Sequence, residues 1–243
     1  MLEARELCKH FGAVRAADRI SFAAADGRIT GLLGPNGAGK STALRMLYTV
    51  LEPDSGQALV DGIDTRVDAL AARRRIGVLT HVSGLYAQLT ARENILYYAA
   101  LQGMTAEAAA ASADKLIERL DMRGFADRRT RGYSQGQRLK TSLARALVHG
   151  PRNILLDEPT NGLDVMALRH LRRLIGELRE EGCCVLFSSH VMQEVASLCD
   201  EVIVIAGGRV VLQDSLAGVR ERTGRDNLED AFLQLIGSGE GIA

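Results

Sequence analysis

Residues 34–41 read GPNGAGKS, a G-x-x-x-x-G-K-S pattern between the apolar run ITGLL and ALRMLYTV, which has the pattern of a helix. Glycines let backbone N–H groups turn inward around a phosphate, and a helix N-terminus adds partial positive charge. Lys40 can neutralise phosphate oxygens, Ser41 can offer a hydroxyl to Mg²⁺, and Thr42 adds a donor. A glycine-rich turn is the alternative, but the flanking strand and helix favour a phosphate-binding loop. Its residues are Gly34, Pro35, Asn36, Gly37, Ala38, Gly39, Lys40 and Ser41.

A second group of candidate residues lies in NILLDEP, residues 153–159. The run NILL predicts a buried strand, and Asp157 at its end can hold Mg²⁺ through a water molecule. Glu158 follows, points elsewhere, and can polarise an attacking water as a general base. An acidic turn closed by Pro159 is the alternative, and the pair alone is weak evidence. Beside a phosphate-binding loop it indicates a nucleoside triphosphatase.

The order of these motifs resembles that in the ATP-binding subunit of ABC transporters, and the resemblance extends over almost the whole chain. It implies the α/β fold of an ABC-type P-loop NTPase, with a parallel sheet core, an antiparallel β portion and an inserted all-helical subdomain. It also implies that ATP and Mg²⁺ bind, and that ATP hydrolysis is coupled to transport across a membrane. Lys40, Asp157, Glu158 and His190 would act mainly by positioning and charge stabilisation.

Three further segments match motifs of that family by their order along the chain. Phe11, in KHFGAV, matches the aromatic residue that stacks on adenine; a core or edge aromatic is the alternative. TNGLD, residues 160–164, resembles the D-loop, which implies that Asp164 lies at a dimer seam. SSH, at the end of a predicted strand, resembles the switch motif, which implies that His190 contacts the γ-phosphate. A lone histidine after a strand is otherwise usually structural.

The segment YSQGQ, residues 133–137, resembles the family's signature, which usually reads LSGGQ. Ser134 would cap a helix whose N-terminus can bind a γ-phosphate, while Gly136 permits close backbone approach. In the family that phosphate belongs to the other subunit's ATP, so two chains face head to tail, and Gln137 belongs to the site. Plain helix capping by Ser134 is the alternative. Gln135 replaces the usual glycine, and we expect its side chain to point outward.

A departure from the family pattern occurs in IGVLTH, residues 76–81. The family usually has a glutamine at the position of His81, and that glutamine senses Mg²⁺ and the attacking water. A histidine nitrogen can accept a hydrogen bond from a metal-bound water, so His81 is a candidate metal-sensing and catalytic residue. A solvated loop histidine is the alternative.

The elements that must position these residues follow an alternating pattern. Five apolar runs have the composition of buried strands and are separated in several places by helical patterns, which indicates a parallel α/β sheet. They are residues 29–33, 76–79, 153–157, 184–188 and 201–205.

The alternation stops at residues 90–150, where three helix starts occur and no strand is predicted. Thr90 with Glu93 and Ser134 with Gln137 have capping-box spacing, and Thr105 heads an alanine-rich run. We therefore expect one nucleotide-binding domain over residues 1–243, with a RecA-like core at about 1–85 and 146–243 and a helical subdomain at about 86–145. From about residue 207 the pattern predicts a short strand pair and then the amphipathic helix NLEDAFLQLIG.

Composition argues against several other classes of protein. The chain has 30 basic and 30 acidic residues, so overall charge does not favour a nucleic-acid partner. The four cysteines lack CxxC spacing, which argues against a zinc site and fits reduced core residues in a cytosolic protein. The start MLEARELCKH lacks a signal-peptide core, and no apolar run approaches the roughly 20 residues of a membrane span. We expect a chain that is soluble by itself.

Three longer segments of the sequence resemble one branch of this family in particular. The sodium-extrusion branch of bacterial ABC exporters has segments similar to THVSGLYAQLTAREN, YSQGQR and DEPTNGLDVMALR. Related drug and polysaccharide exporters share much of the same sequence. The resemblance implies a permease partner and a dimer, with an identical chain or a paralogue, at the cytoplasmic face of the membrane. Two alternatives remain: a non-transport cytosolic ABC ATPase, which the lack of a long coiled-coil insertion disfavours, and a regulatory module that binds ATP without cycling.

Overall fold

The computed structural model describes residues 1–80, 84–225 and 227–239. Within these ranges the chain forms a six-stranded sheet and a four-stranded sheet, with helices packed against them. The strands are β1 Leu2–Phe11, β2 Val14–Ala24, β3 Ile29–Leu33, β4 Ser55–Val60, β5 Ile63–Asp64, β6 Ile76–Leu79, β7 Asn153–Asp157, β8 Cys184–Ser189, β9 Glu201–Ala206 and β10 Arg209–Ser215. The helices are α1 Lys40–Leu47, α2 Ala69–Arg73, α3 Ala91–Leu101, α4 Ala106–Arg119, α5 Gln135–Leu147, α6 Val165–Glu180, α7 Met192–Leu198, α8 Leu216–Thr223 and α9 Leu228–Gly239.

The six-stranded sheet is the centre of the fold. Its order is β10-β9-β3-β8-β7-β6, and every neighbouring pair from β9 to β6 is parallel, whereas β10 is antiparallel to β9 at the edge. All five predicted strands belong to it, so the predicted parallel α/β core is confirmed. Because its strands are parallel, their carboxyl ends meet at one edge, where ligands bind in open α/β sheets.

Side chains of this sheet alternate between two hydrophobic cores. Leu33 and Phe187 point into a core shared with α3–α9, whereas Leu32 and Leu186 point into a core shared with β1, β2, β4 and α1. Both faces are therefore covered, which is why the strands read as continuous apolar runs.

The four-stranded sheet is antiparallel, with the order β2-β1-β4-β5. It provides the antiparallel β portion that the family resemblance implied. Its β1–β2 hairpin pairs Phe11 with Val14 at the tip and continues to Ala16, whose carbonyl lies against the backbone of Gly39. This sheet therefore supports the glycine loop from one side.

Residues 90–150 hold the three predicted helices α3, α4 and α5, which pack against one another. Thr90 and Ser134 form reciprocal capping boxes, with Glu93 and Gln137 respectively, as predicted, and the Thr105 side chain accepts a hydrogen bond from the Ala108 N–H. The subdomain boundaries near residues 85 and 146 stay a prediction.

The C-terminal segment differs from its prediction. Only one strand, β10, follows residue 207 in the described part of the chain, and it pairs with β9. The expected second strand is replaced by α8, which precedes the predicted amphipathic helix, α9. The reason is local: the Ser215 side chain caps α8 by accepting from the Gly218 N–H, and Gly224 ends it in a left-handed conformation.

All four cysteines are free, and three of them are buried. Burial raises the pKa of the Cys184 thiol to about 12, so this residue behaves as a small apolar core side chain. Among the described residues, no helix combines the length and the hydropathy that crossing a bilayer requires.

Replacing Gly34 by alanine tests how closely the glycine loop fits the sheet. A Cβ atom there would collide with the Ile205 carbonyl on β9, so we expect Gly34→Ala to lower the free energy of unfolding by about 1–3 kcal/mol. Chemical denaturation without nucleotide measures this. Gly124→Ala is the control, because a Cβ atom at Gly124 meets nothing within 4 Å, and its effect should stay below about 0.5 kcal/mol. Equal stability of both variants would contradict the close approach.

Candidate functional site

The glycine loop is held by backbone contacts on three sides. It leaves the buried strand β3 and ends at Gly39, which has φ = 106° at the N-terminus of α1. A Cβ atom at Gly39 would collide with the Ala16 carbonyl, and the Gly208 N–H donates to the Ala38 carbonyl at 3.0 Å. Gly37 has φ = 82° and nothing within 4 Å of its Cβ position. The loop is thus packed on the protein side and open on the other, as a phosphate cradle requires.

Lys40 lies buried at the base of this loop, with 6% of its surface exposed. Its Nζ donates to the carbonyls of Gly34, at 2.6 Å, and Pro35, at 3.2 Å, and lies 3.9 Å from Glu158 Oε1. Burial lowers the pKa of Lys40, and the nearby charges of Glu158 and Asp157 oppose that change in part. A further anion beside Lys40 would favour its charged form.

Asp157 is at the carboxyl end of β7, and two hydroxyls donate to its Oδ1 atom. They belong to Ser41, at 3.2 Å, and Ser188, at 2.7 Å. Hydroxyl and carboxylate oxygens are ligands that Mg²⁺ accepts, so this pair fits the predicted metal role of Ser41 and Asp157. Within the described ranges no group of three or more His, Cys, Asp or Glu side chains could hold a metal, so an ion here would need additional oxygens.

Glu158 follows Asp157 but faces a different set of partners. Its φ of 50° is a left-handed conformation that is uncommon outside glycine, and its N–H donates to Ser188 Oγ at 3.0 Å. Its Oε2 atom lies 2.8 Å from Nδ1 of His190, whereas Oε1 faces Lys40. The Glu158 side chain is 14% exposed and that of His190 is 46% exposed. The Glu158 carboxylate is thus mostly buried, while its partner His190 is open to solvent.

The structure thus brings five predicted residues into one network of direct contacts: Lys40, Ser41, Asp157, Glu158 and His190. Such a network joins a phosphate-binding cation and hydroxyl to a carboxylate that can act as a base. Their individual roles stay predictions.

The other predicted residues lie on surrounding elements. Phe11 is at the end of β1 and is 50% exposed. Ser134 Oγ accepts from the Gln137 N–H at 3.2 Å, and the Gln137 side chain accepts in turn from the Ser134 N–H. Asp164 caps α6 by accepting from the Ala167 N–H at 2.8 Å. His81 lies outside the described residues, so its role stays a prediction.

Gly136, the second residue of α5, has open space near its Cα except for Ala167 on α6, at 3.7 Å from a Cβ position. Gln135 is exposed to solvent, but its side chain is not directed simply outward as expected. Its amide Nε2 donates to the Asn161 carbonyl at 2.7 Å, because the N-terminus of α5 lies beside the 160–164 loop. Sequence reasoning did not foresee this contact.

Glu194 is a second residue that sequence reasoning missed. It lies in α7, is 9% exposed, and accepts hydrogen bonds from Thr160 at 2.7 Å and Ser189 at 3.1 Å. It therefore ties the start of the 160–164 loop to the end of β8, next to His190. The sequence signal for Glu194 is an acidic residue in the first turn of a short helix, MQEVASL, which begins two residues after His190.

Comparisons with known proteins agree with this geometry. The chain matches the family model described as ABC transporter over residues 17–161. It is 40% identical over 227 residues to the ABC transporter ATP-binding protein NatA of Bacillus subtilis, covering 93% of this chain and 92% of that protein. It is 35% identical over 235 residues to the daunorubicin resistance ATP-binding protein DrrA3 of Streptomyces coeruleorubidus, covering 97% of this chain and 74% of that protein.

Among solved structures, the dimeric structure of MJ0796, a bacterial ABC transporter cassette, has a TM-score of 0.81 and 26% identity, covering 89% of this chain and 99% of that one. A glycine loop opposite an acidic strand end occurs in many nucleotide-binding proteins. The family match across more than half of the sequence, supported by a relative that is matched over 92% of its own length, identifies this chain as an ATP-binding subunit of the ABC transporter family, an ABC-type ATPase with a P-loop NTPase fold.

Proposed function

We propose that this ABC-type ATPase powers a membrane exporter, with sodium efflux as its transport reaction, by hydrolysing ATP at the network beneath the glycine loop. The observation that carries the proposal is the direct contact among Lys40, Glu158 and His190 beside the Ser41–Asp157 pair. In one small volume these residues supply the groups that phosphoryl transfer to water needs: a phosphate-binding cation, a candidate base and a histidine at the open edge.

Glu158 is the proposed general base. Its Oε2 atom faces His190 at 2.8 Å, and the left-handed backbone at this residue directs its side chain away from that of Asp157. With 14% exposure, the carboxylate can contact a water molecule while most of its surface is enclosed. His190 is the proposed contact to the γ-phosphate, because its half-exposed ring lies beside Glu158.

The loop residues 34–42 are the proposed site for the triphosphate. Backbone N–H groups and the N-terminus of α1 would stabilise negative charge there, and Lys40 would pair with β- and γ-oxygens. Mg²⁺, when bound, would neutralise charge on the phosphate oxygens. Ser41 and Asp157 are the residues that would hold it, with His81 as a further candidate. Phe11 would stack on adenine, since it lies at the half-exposed tip of the hairpin that supports the loop.

A head-to-tail dimer is the proposed working form, with either an identical chain or a paralogue. Ser134 Oγ accepts within its own helix cap, which leaves its hydroxyl proton free to donate to a phosphate of the facing chain. Gly136 and Gln137 would line the same helix end, and Asp164 would lie at the seam. The similarity to the MJ0796 cassette, whose structure is dimeric, supports this assignment.

A membrane permease is the proposed partner that uses the free energy of ATP hydrolysis for transport. ATP would join two subunits, hydrolysis would release them, and the helical subdomain at about 86–145 would pass that movement to a permease at the cytoplasmic face of the membrane. Sodium is the proposed cargo, since THVSGLYAQLTAREN, YSQGQR and DEPTNGLDVMALR resemble the sodium-extrusion branch. Drug export is the second candidate, favoured by the relationship to DrrA3.

Lys40→Met should separate nucleotide binding from folding. Burial lowers the pKa of Lys40, so the unfolded chain holds this proton more tightly, but methionine also leaves the Gly34 and Pro35 carbonyls without this donor. We therefore expect the stability without nucleotide to change by no more than about 1–3 kcal/mol, with the chain still folded. With ATP at 100 times its Kd, the wild-type chain should gain about 2.7 kcal/mol, and Lys40→Met should gain almost none. Thermal unfolding with and without ATP measures both effects. The exposed Lys115→Met is the control; equal ATP stabilisation of all three chains would overturn the loop assignment.

Glu158→Gln keeps the size of the side chain but removes the base. We expect kcat for ATP hydrolysis to fall by at least about 100-fold, with an ATP-bound dimer accumulating in light-scattering measurements. Glu180→Gln makes the same change of charge at an exposed position on α6 and should hydrolyse ATP normally. Normal turnover by Glu158→Gln would refute the base assignment.

A transport assay tests whether sodium is the transported substrate. The tagged chain, purified from membranes together with its permease, should drive ATP-dependent ²²Na⁺ uptake into inside-out proteoliposomes. The same complex carrying Glu158→Gln should not. ATP-dependent movement of daunorubicin without sodium uptake would establish the second candidate and reject the first.

A further inference from the structure

Gln135 connects the signature segment to the loop that follows Glu158. It is the first residue of α5, and its Nε2 atom donates to the Asn161 carbonyl at 2.7 Å. The family resemblance has a glycine at this position, which has no side chain to make such a bond. The contact is therefore supplied by this chain's own departure from the pattern.

The amide of Gln135 also packs directly on the backbone of Gly162. A Cβ atom at Gly162 would lie 2.5 Å from Nε2 and 3.0 Å from Oε1 of Gln135, and Gly162 has φ = 69°. The loop thus has a glycine where the Gln135 amide needs space. The Gln135 amide, the Asn161 carbonyl and the space left by Gly162 together form a specific contact, not a chance approach of an exposed side chain.

Asn161 is itself tied to the proposed base. Its N–H approaches the Glu158 carbonyl at 3.4 Å, which closes a turn over residues 158–161. Thr160, in the same turn, donates to the buried Glu194, so the turn is anchored to the core on one side and to α5 on the other. A displacement of the α5 N-terminus would consequently pull on a peptide group three residues from Glu158.

We propose that Gln135 is a positioning residue that couples the signature end of α5 to Glu158 within one chain. The inference rests on the proposed head-to-tail dimer and on the proposed role of Glu158. In that dimer Ser134 faces one ATP, whereas Glu158 of the same chain acts on the other. The Gln135–Asn161 hydrogen bond therefore links the two ATP sites through a single side chain.

The coupling predicts a specific pattern in the kinetics. Gln135 makes no hydrogen bond to Lys40 or to the rest of the 34–42 loop in the described residues, so losing the bond should leave the KM for ATP within about twofold. The kcat should fall by about fivefold, and the Hill coefficient for ATP should move towards 1, because the two sites respond less to each other. If Gln135 had only a structural role, losing its hydrogen bond would lower thermal stability without lowering kcat at a constant KM.

Gln135→Met tests the bond at nearly constant size and charge, since it removes the amide donor and leaves an uncharged side chain. In the purified full chain we expect faster hydrogen exchange at the backbone amides of residues 158–164, together with the kinetic changes above. Gln102→Met, with the same loss of an amide at the end of α3, should behave as wild type in both measurements.

Gly162→Ala supplies a second, independent perturbation, because the added methyl group must displace the Gln135 amide. If both substitutions act through one bond, kcat of the double variant should match that of Gly162→Ala alone, whereas independent effects would multiply. Unchanged exchange at residues 158–164 in Gln135→Met, or faster exchange with unaltered kcat and Hill coefficient, would overturn the inference. The Glu158→Gln variant tests the proposed function independently of this inference. Normal turnover by that variant would reject the base assignment, whereas the exchange measurement would still report on the Gln135–Asn161 hydrogen bond.

Discussion

The parallel register of β3, β8 and β7 is the constraint on which the site depends. Leu32, Ser188 and Asp157 lie at the same level across the three strands, so the residues that follow them leave the sheet at one edge. Ser188 then bonds both Asp157 and the Glu158 N–H, which joins two neighbouring strand ends into one rigid unit. A shift of one residue in either pairing would direct these side chains to the opposite face of the sheet.

Charge balance is the second constraint, because the site encloses a lysine between backbone carbonyls and two acidic residues. Desolvation disfavours the Lys40 cation, and the charges of Glu158 and Asp157 offset only part of that cost. The site is consequently complementary to further negative charge, which the open side of the glycine loop can receive. His190 and Glu158 complete the edge of this volume, so cation, carboxylate and imidazole face the same space.

Much of this arrangement follows from local sequence. The run GPNGAGKS predicts a tight turn because only glycine tolerates the backbone approach and positive φ found at Gly39, while the flanking ITGLL and ALRMLYTV predict the strand and the helix. The spacings Thr90 to Glu93 and Ser134 to Gln137 predict capping boxes because both partners lie within one helical turn. Buried parallel strands are equally visible as uninterrupted apolar runs. The segment after β10 failed as a prediction because a cap and a terminal glycine at the ends of α8 outweighed its weak periodicity.

By itself, then, the sequence determined which residues could bind phosphate, hold a metal or cap a helix, since these properties depend on neighbours within about four positions. Only the tertiary structure decided which of them meet. Glu158 and His190 are far apart in the chain yet lie 2.8 Å apart, and the buried Glu194 joins two loops that no local pattern connects. The direction of the Gln135 side chain was decided in the same way: an exposed residue on α5 has no local preference, and the Asn161 carbonyl beside it supplies one.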